Sequence, residues 1–323
     1  MLDPDPLETV ATLQRGGSQA LALGSLNALE RRLFADVSDG RLDEHSLLVA
    51  ALAASGVNSP ETLDDYQRRL DEFVAELKGS RPHPKRSRKE VEAVFDFLHT
   101  RILHGGYRTE CTDLRVTMDD GRFNCVSASV LFQCLAQASG FDVCALEMPG
   151  HAMSRVHLPD GPLDVETTCA AWFRLMHDPK RQAQSVRKTL GTVPGGTKAA
   201  AREVSSVGLV AMVYYNRGVD LLAEGRYAEA AVANAKALHL DPGNQTARGN
   251  LLATLNNWAI ALGQSKQLDE AIAMLRAGLA IDPQYEPFVL NYAHVQHQRT
   301  RQFAGDARYD EGQPGESPAI SAP

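Results

Sequence analysis

The chain has 323 residues, of which 44% are hydrophobic, and a formal net charge of −7. That length holds about two domains at roughly 100–200 residues each, and the acidic balance argues against nucleic acid as a partner, because phosphate binding needs a basic face. No run of about 18 apolar residues is present, so no membrane span is expected, and the opening MLDPDPLETV lacks the basic and apolar regions of a secretory signal, which makes the cytoplasm the expected compartment.

Residues 1–35 carry a modest helical pattern, and LDEHSLLVAALAA (42–54) suits a buried helix. Asn58-Ser59-Pro60 stops it. Ser59 has the form of an N-cap with Pro60 at the first helical position, and the helix it starts runs to Gly79 with Tyr66, Leu70, Phe73, Val74 and Leu77 on one face. The basic run RPHPKRSRK (81–89), broken by two prolines, reads as a solvated linker. KEVEAVFDFLHTRIL (89–103) is amphipathic through Val91, Val94, Phe95, Leu98 and Ile102. A polar loop, HGGYRTECTDLRVTMDDG, leads to a further helix, CVSASVLFQCLAQASG (125–140), with Gly140 as its stop. The period then changes to two. FDVCALEMPG and HAMSRVHL alternate as strands, and Pro159-Asp160-Gly161 turns the chain into LDVETT, so an antiparallel sheet follows the helix.

From about residue 205 the chain is helical and repetitive. YYNRGVDLLAEGRYAEAAVANAKALHLDP (214–242) superposes on NNWAIALGQSKQLDEAIAMLRAGLAIDP (256–283), with small residues at Gly218, Ala230, Ala237 and at Ala259, Ala271, Gly278, and with a terminal Asp-Pro in each. These segments resemble tetratricopeptide repeats, helix-turn-helix units of about 34 residues. The Asp-Pro pairs lie 41 residues apart, and two extra helical turns near 243–255 would absorb the difference. FVLNYAHVQHQ (288–298) begins a third unit that stops after one helix, as a cap does. Two repeats and a cap fall short of the three such arrays need, so the solenoid is expected to pack on the preceding core. Asn216, Asn257 and Asn291 share one position of the repeat's first helix, and the resemblance implies that they face a groove where amides could bind an extended peptide.

Five cysteines (Cys111, Cys125, Cys134, Cys144, Cys169) form no C-x-x-C pair and no zinc-type spacing, which argues for thiols and against a metal site. Cys125 differs from the rest. It opens a predicted helix, where free amides and the macrodipole favour an anion, and His151 opens the strand after Pro149-Gly150. Asp164 and Glu166 alternate on one face of the next predicted strand, and either could orient the far nitrogen of the imidazole. The backbone amide of Cys125 is a natural oxyanion donor, and Asn124 or Tyr107 could supply a second. Cys134, Cys144 and His157 read as structural.

Cysteine on a helix start, histidine on the next strand and an acid on the strand after resemble the transglutaminase-like branch of the papain-like superfamily. Across about residues 40–180 the motifs LLVAALAA, YQRRLDEF, FDFLH, NCVSASVLF and EMPGHAMSRV resemble bacterial SirB-type proteins, which also carry C-terminal tetratricopeptide repeats. The chain departs from the pattern in having Phe123 where transglutaminase-like domains usually place glycine. The resemblance prefers Glu166, which is followed by Thr168 and lies fifteen residues after His151, over Asp164. It implies an α+β papain/transglutaminase-like core with N-terminal helices, followed by an all-α tetratricopeptide solenoid. The expected layout is an N-terminal helical segment at 1–80, the core at 81–190, a linker at 191–204, repeats with a capping helix at 205–303 and a disordered tail at 304–323. GTVPGGTK (191–198) is expected to be the most protease-sensitive internal stretch. Two functions compete. One is a cysteine acyl-transfer enzyme or hydrolase acting on a peptide or protein amide, without metal or cofactor, whose repeats recruit a polypeptide. The other is a non-catalytic interaction scaffold with a degenerate papain-like core.

Overall fold

A computed structural model describes residues 6–79, 87–191 and 201–310. Helical segments come first: α1 (Pro6–Gly24), which breaks at Gly16 and Gly17, α2 (Ala28–Asp36), α3 (Leu47–Ala54), α4 (Pro60–Gly79) and α5 (Arg88–Arg101). A short strand β1 (Gly106–Tyr107), helix α6 (Leu114–Asp120) and strand β2 (Arg122–Phe123) lead to α7 (Cys125–Ala138). Strands β3 (Asp142–Met148), β4 (His151–Leu158) and β5 (Gly161–Val165) follow, then α8 (Pro179–Leu190) and β6 (Arg202–Val204). The rest is helical: α9 (Ser206–Ala223), α10 (Tyr227–Leu240), α11 (Gln245–Gln264), α12 (Leu268–Ile281) and α13 (Glu286–Asp310). Among the described residues no helix is long and apolar enough to cross a membrane.

The chain forms two compact units, one from Ser18 to Asn250 and the other from the segment ending at Gly17 together with the residues from Leu251 onward. The first unit is a helix-rich α+β fold. Its four-stranded antiparallel sheet has the order β5-β4-β3-β6. Pro149 and Gly150 turn β3 into β4, Met148 facing His151 in register, and Gly150 takes the left-handed φ of 70° that the tight turn requires. Against the sheet lies α7, every residue of which from Cys125 to Ala136 is buried, with α3, α5 and α9 around it. Its buried polar side chains Ser127, Ser129 and Gln133 hydrogen-bond to Asn124, Thr167 and Ser154, so neighbours can cover it.

Two stretches differ from expectation. The polar loop at 104–121 contains α6, which Asp113 caps by accepting from the Arg115 amide, and β1, which pairs in parallel with β2. Residues 202–204, in the stretch expected to be linker, form the edge strand β6, with Val204 opposite Ala145. The other residues of that stretch, 192–200, lie outside the described residues with most of the expected protease-sensitive segment, as do 81–86 of the basic run and the tail from 311.

The sequence division at 205 does not coincide with the packing. The run from Leu209 to Tyr215 is buried without interruption and belongs to the same apolar core as Phe95, Phe132 and Val156. Polar contacts hold the ends of these helices to the sheet. Glu147 on β3 receives Nδ2 of Asn244 at 2.9 Å and the Tyr215 hydroxyl at 3.4 Å, and Arg202 on β6 pairs with both Glu147 and Asp241. The hairpins α9–α10 and α11–α12 turn alike: Gly225 has φ 75° and Lys266, the matching residue, φ 65°. Lysine there accepts a left-handed backbone that glycine adopts without strain. In the second unit the Phe288 ring lies where a Cβ on Gly278 would sit, 2.4 Å away, so only glycine fits that helix crossing.

A buried ion pair ties α2 to α10. Lys236 Nζ donates to both carboxylate oxygens of Glu30 at 2.7 and 2.8 Å, and the fully buried Tyr214 adds its hydroxyl at 3.0 Å. Burial lowers the Lys236 pKa and Glu30 opposes the shift. Removing one partner strands the other charge in an apolar core. Glu30→Gln should therefore cost about 3 kcal/mol in urea unfolding, while the Glu30→Leu, Lys236→Met double variant regains most of it; equal loss in both would show that the pair's charge is not what matters there.

Candidate functional site

Gly121 ends α6 at φ 70°, and a Cβ there would meet the Ile102 carbonyl oxygen at 2.7 Å. The chain passes through β2 and reaches Asn124, the N-cap of α7. Asn124 Oδ1 accepts from the amides of Val126 (3.0 Å) and Ser127 (2.9 Å), and the Ser127 hydroxyl returns a bond with the Asn124 amide, closing a capping box. Nδ2 of Asn124 reaches the Thr109 carbonyl and the Thr112 hydroxyl. All of its polar atoms are thus engaged, which withdraws Asn124 as an oxyanion donor. The amide of Cys125, the first helical residue, is the one the cap leaves over.

His151, at the start of β4, is buried, and its Nε2 lies 2.7 Å from Glu166 Oε2. The Cys125 side chain is a second neighbour whose interaction favours the charged ring. Burial disfavours the charged ring, but the bonds to Cys125 and Glu166 outweigh it and raise the His151 pKa to about 10. Glu166 is itself fixed. Its Oε1 accepts from the Thr168 amide at 3.0 Å and the Thr168 hydroxyl at 2.5 Å, and the Thr167 hydroxyl lies 3.1 Å from that of Ser129 on α7. The helix that carries the cysteine thus also anchors the turn that carries the acid.

Asp164 goes elsewhere. It faces Arg155 in register on the outer side of the sheet, with Arg155 Nε at 2.6 Å. The expectation that Asp164 and Glu166 share a strand face does not hold, because β5 ends at Val165 and the following turn carries Glu166 inward.

A pocket of about 280 Å³ opens beside the sulfur. Cys125, His151 and Tyr107 line one side, and Tyr215, Asn216 and Asp220 of α9 another. Tyr107 reaches it because β1 pairs with β2 directly before the cap. Burial raises the pKa of both tyrosines, and the charge of Cys125 adds to each shift. Asp220 is pushed up to about 6, chiefly by burial, while the Thr112 hydroxyl opposes the shift and Glu224 and Glu110 reinforce it. Of the three repeat asparagines, Asn216 lines this pocket, Asn257 is exposed, and Asn291 donates to Asn256 Oδ1 at 2.8 Å, the last two within the second unit. Tyr215 and Asp220 escape a sequence reading, since the signal for them, apolar burial of α9 on the core, exists only once the helix is placed.

All five cysteines are free thiols. Burial pushes Cys134 up to about 12 and Cys144 up to about 11. The strand register also places Cys144 Sγ 3.6 Å from His157 Nε2, with Glu203 close enough to complete a three-ligand metal set, a proximity that sequence spacing does not reveal; Glu203 is ion-paired to Arg155. No protein-family model matches the chain, and comparison with curated proteins finds no match.

The His151 pairing sets a titration. The ring, with its pKa raised to about 10, should stay protonated through neutral pH. Glu166→Gln removes an anionic acceptor and should bring its titration, followed by NMR of the ring protons, down toward the ordinary histidine range, whereas Asp164→Asn should leave it in place. Equal shifts in the two variants would dissociate Glu166 from the imidazole.

Proposed function

We propose that the protein is a transglutaminase-like cysteine acyltransferase or hydrolase acting on a peptide or protein amide, with helical repeats of tetratricopeptide type that recruit the polypeptide. The observation that carries this reading is the buried Cys125–His151–Glu166 chain beside an open pocket. The Cys125 sulfur attacks the carbonyl carbon, forming an S–C bond, while His151, cationic and held by Glu166, balances the sulfur's charge. The Cys125 amide faces the developing oxyanion at the helix terminus. As the C–N bond breaks, His151 passes its proton to the leaving amine. It then takes a proton from the water or amine that resolves the thioester. The repeat reading is supported by small residues at the helix crossings and by left-handed links at Gly225 and Lys266.

An electrophilic amide such as iodoacetamide tests the nucleophile. Near pH 6 an ordinary thiol with a pKa of about 8.5 is almost wholly protonated and labels slowly. Cys125 should label there at least about tenfold faster than Cys134 or Cys144, as mapped by mass spectrometry. Cys125→Ala should abolish the fast phase, and His151→Ala should move it to higher pH. Equal labelling of several cysteines in the folded protein would favour the scaffold reading.

A further inference from the structure

The pocket beside Cys125 has an unbalanced charge on its far wall. Asp220 is the one carboxylate among the described residues that line it, no lysine or arginine lines it, and the cationic His151 in its lining is already paired with Glu166. Asp220 lies one helical turn from Asn216, so the same face of α9 presents an amide and an acid to the pocket. Among the described residues its side chain has the neutral Thr112 hydroxyl as hydrogen-bond partner. The nearby cations are engaged elsewhere: Arg217 donates to the Ala54 carbonyl, Arg115 pairs with Asp113, and Arg226 pairs with Glu224 and Glu229. An adjoining cavity of about 580 Å³ shares Asp220 and Thr112, and its other charged lining residues are Glu110, Asp113 and Glu224 with Arg115, Arg217 and Arg226.

A carboxylate partly withdrawn from water without a basic partner is held at a cost. A bound cation would offset that cost, because its charge replaces the missing counter-ion in a site of low water content. We infer that the pocket selects an acyl substrate bearing a cationic group, an ammonium or a guanidinium, which pairs with Asp220 while the carbonyl lies at Cys125; this rests on Cys125 being the nucleophile proposed above. Asn216, whose side chain has no hydrogen-bond partner among the described residues, is placed to accept a donor from the same group. The first helix of the repeat segment thereby sets specificity from inside the site.

The test uses three methanethiosulfonates on the full chain, bearing a trimethylammonioethyl, a methyl or a sulfonatoethyl group. The sulfur of Cys125 attacks the sulfenyl sulfur, a disulfide forms and methanesulfinate leaves, so the readout is modification of Cys125 by mass mapping and needs no turnover. The ratio of cationic to anionic rate should fall about tenfold in Asp220→Asn at low ionic strength, and Asp220→Glu should restore most of it. Ethylammonium or ethylguanidinium should slow the methyl reagent in the wild-type protein and not in Asp220→Asn, and the stronger protector identifies the preferred cation. An unchanged ratio, with the methyl reagent still labelling Cys125 in a His151-dependent way, would overturn the charge inference and leave the nucleophile intact. Failure of the methyl reagent to label Cys125 at all would overturn both.

Discussion

A buried stretch of helix must satisfy its polar groups from within the protein, and α7 is buried from Cys125 to Ala136. Its first-turn amides cannot turn to water, so Asn124 caps two of them. Ser127 closes the cap, Ser129 finds Thr167, and Gln133 donates to Ser154 on β4. Each of these bonds meets a local need of the helix. Together they place the cap, the acid-bearing turn and the strand that starts with His151 around one residue, Cys125. The site is a by-product of burying α7 from Cys125 to Ala136, and the apolar residues between the polar ones supply the reason to bury it.

The same burial explains the electrostatics. In a wet cleft the imidazole and the carboxylate would each be solvated, and their pairing would contribute little. At the buried positions of His151 and Glu166 the charged ring survives only because an anionic partner and the sulfur hold it from both sides. Thr168 does for Glu166 what Glu166 does for His151, so the order runs outward from the sulfur through three side chains to the backbone. Glu147 makes a parallel arrangement at the sheet edge: one carboxylate gathers Arg202, Asn244 and Tyr215 and so fixes the α9 wall of the pocket.

Much of this was legible in the sequence where a residue's role depends on its near neighbours. The α4 start at Ser59-Pro60, the cysteine at a helix start and the alternating strands depend on spacing of two to four residues, and the structure has them at those places. The resemblance and the register of a hairpin turning at Pro159 to Gly161 both favour Glu166 over Asp164, while alternation alone puts both on one face. What separates them is the end of β5 at Val165, a fact of hydrogen bonding with Ser154 that no local pattern encodes. The short helix α6 was hidden because LRVTMDD is too brief to show a period, and its cap, Asp113, looks like any loop aspartate. The strand β6 was hidden because three residues carry no alternation, and its partner lies about sixty residues earlier. Asp220 reads as a surface residue of a repeat helix until α9 is seen to join the core.

That α9 walls the pocket matters during synthesis, when the chain emerges from its amino-terminal end. A nascent chain that has reached residue 190 holds Cys125, His151 and Glu166 but neither the strand β6 nor the helix beyond it. The sheet at that moment has three strands and an open edge, and the sulfur faces water where Tyr215 and Asp220 will later stand. The α9 wall follows the side chains it faces, so the pocket is completed in the order in which its parts leave the ribosome.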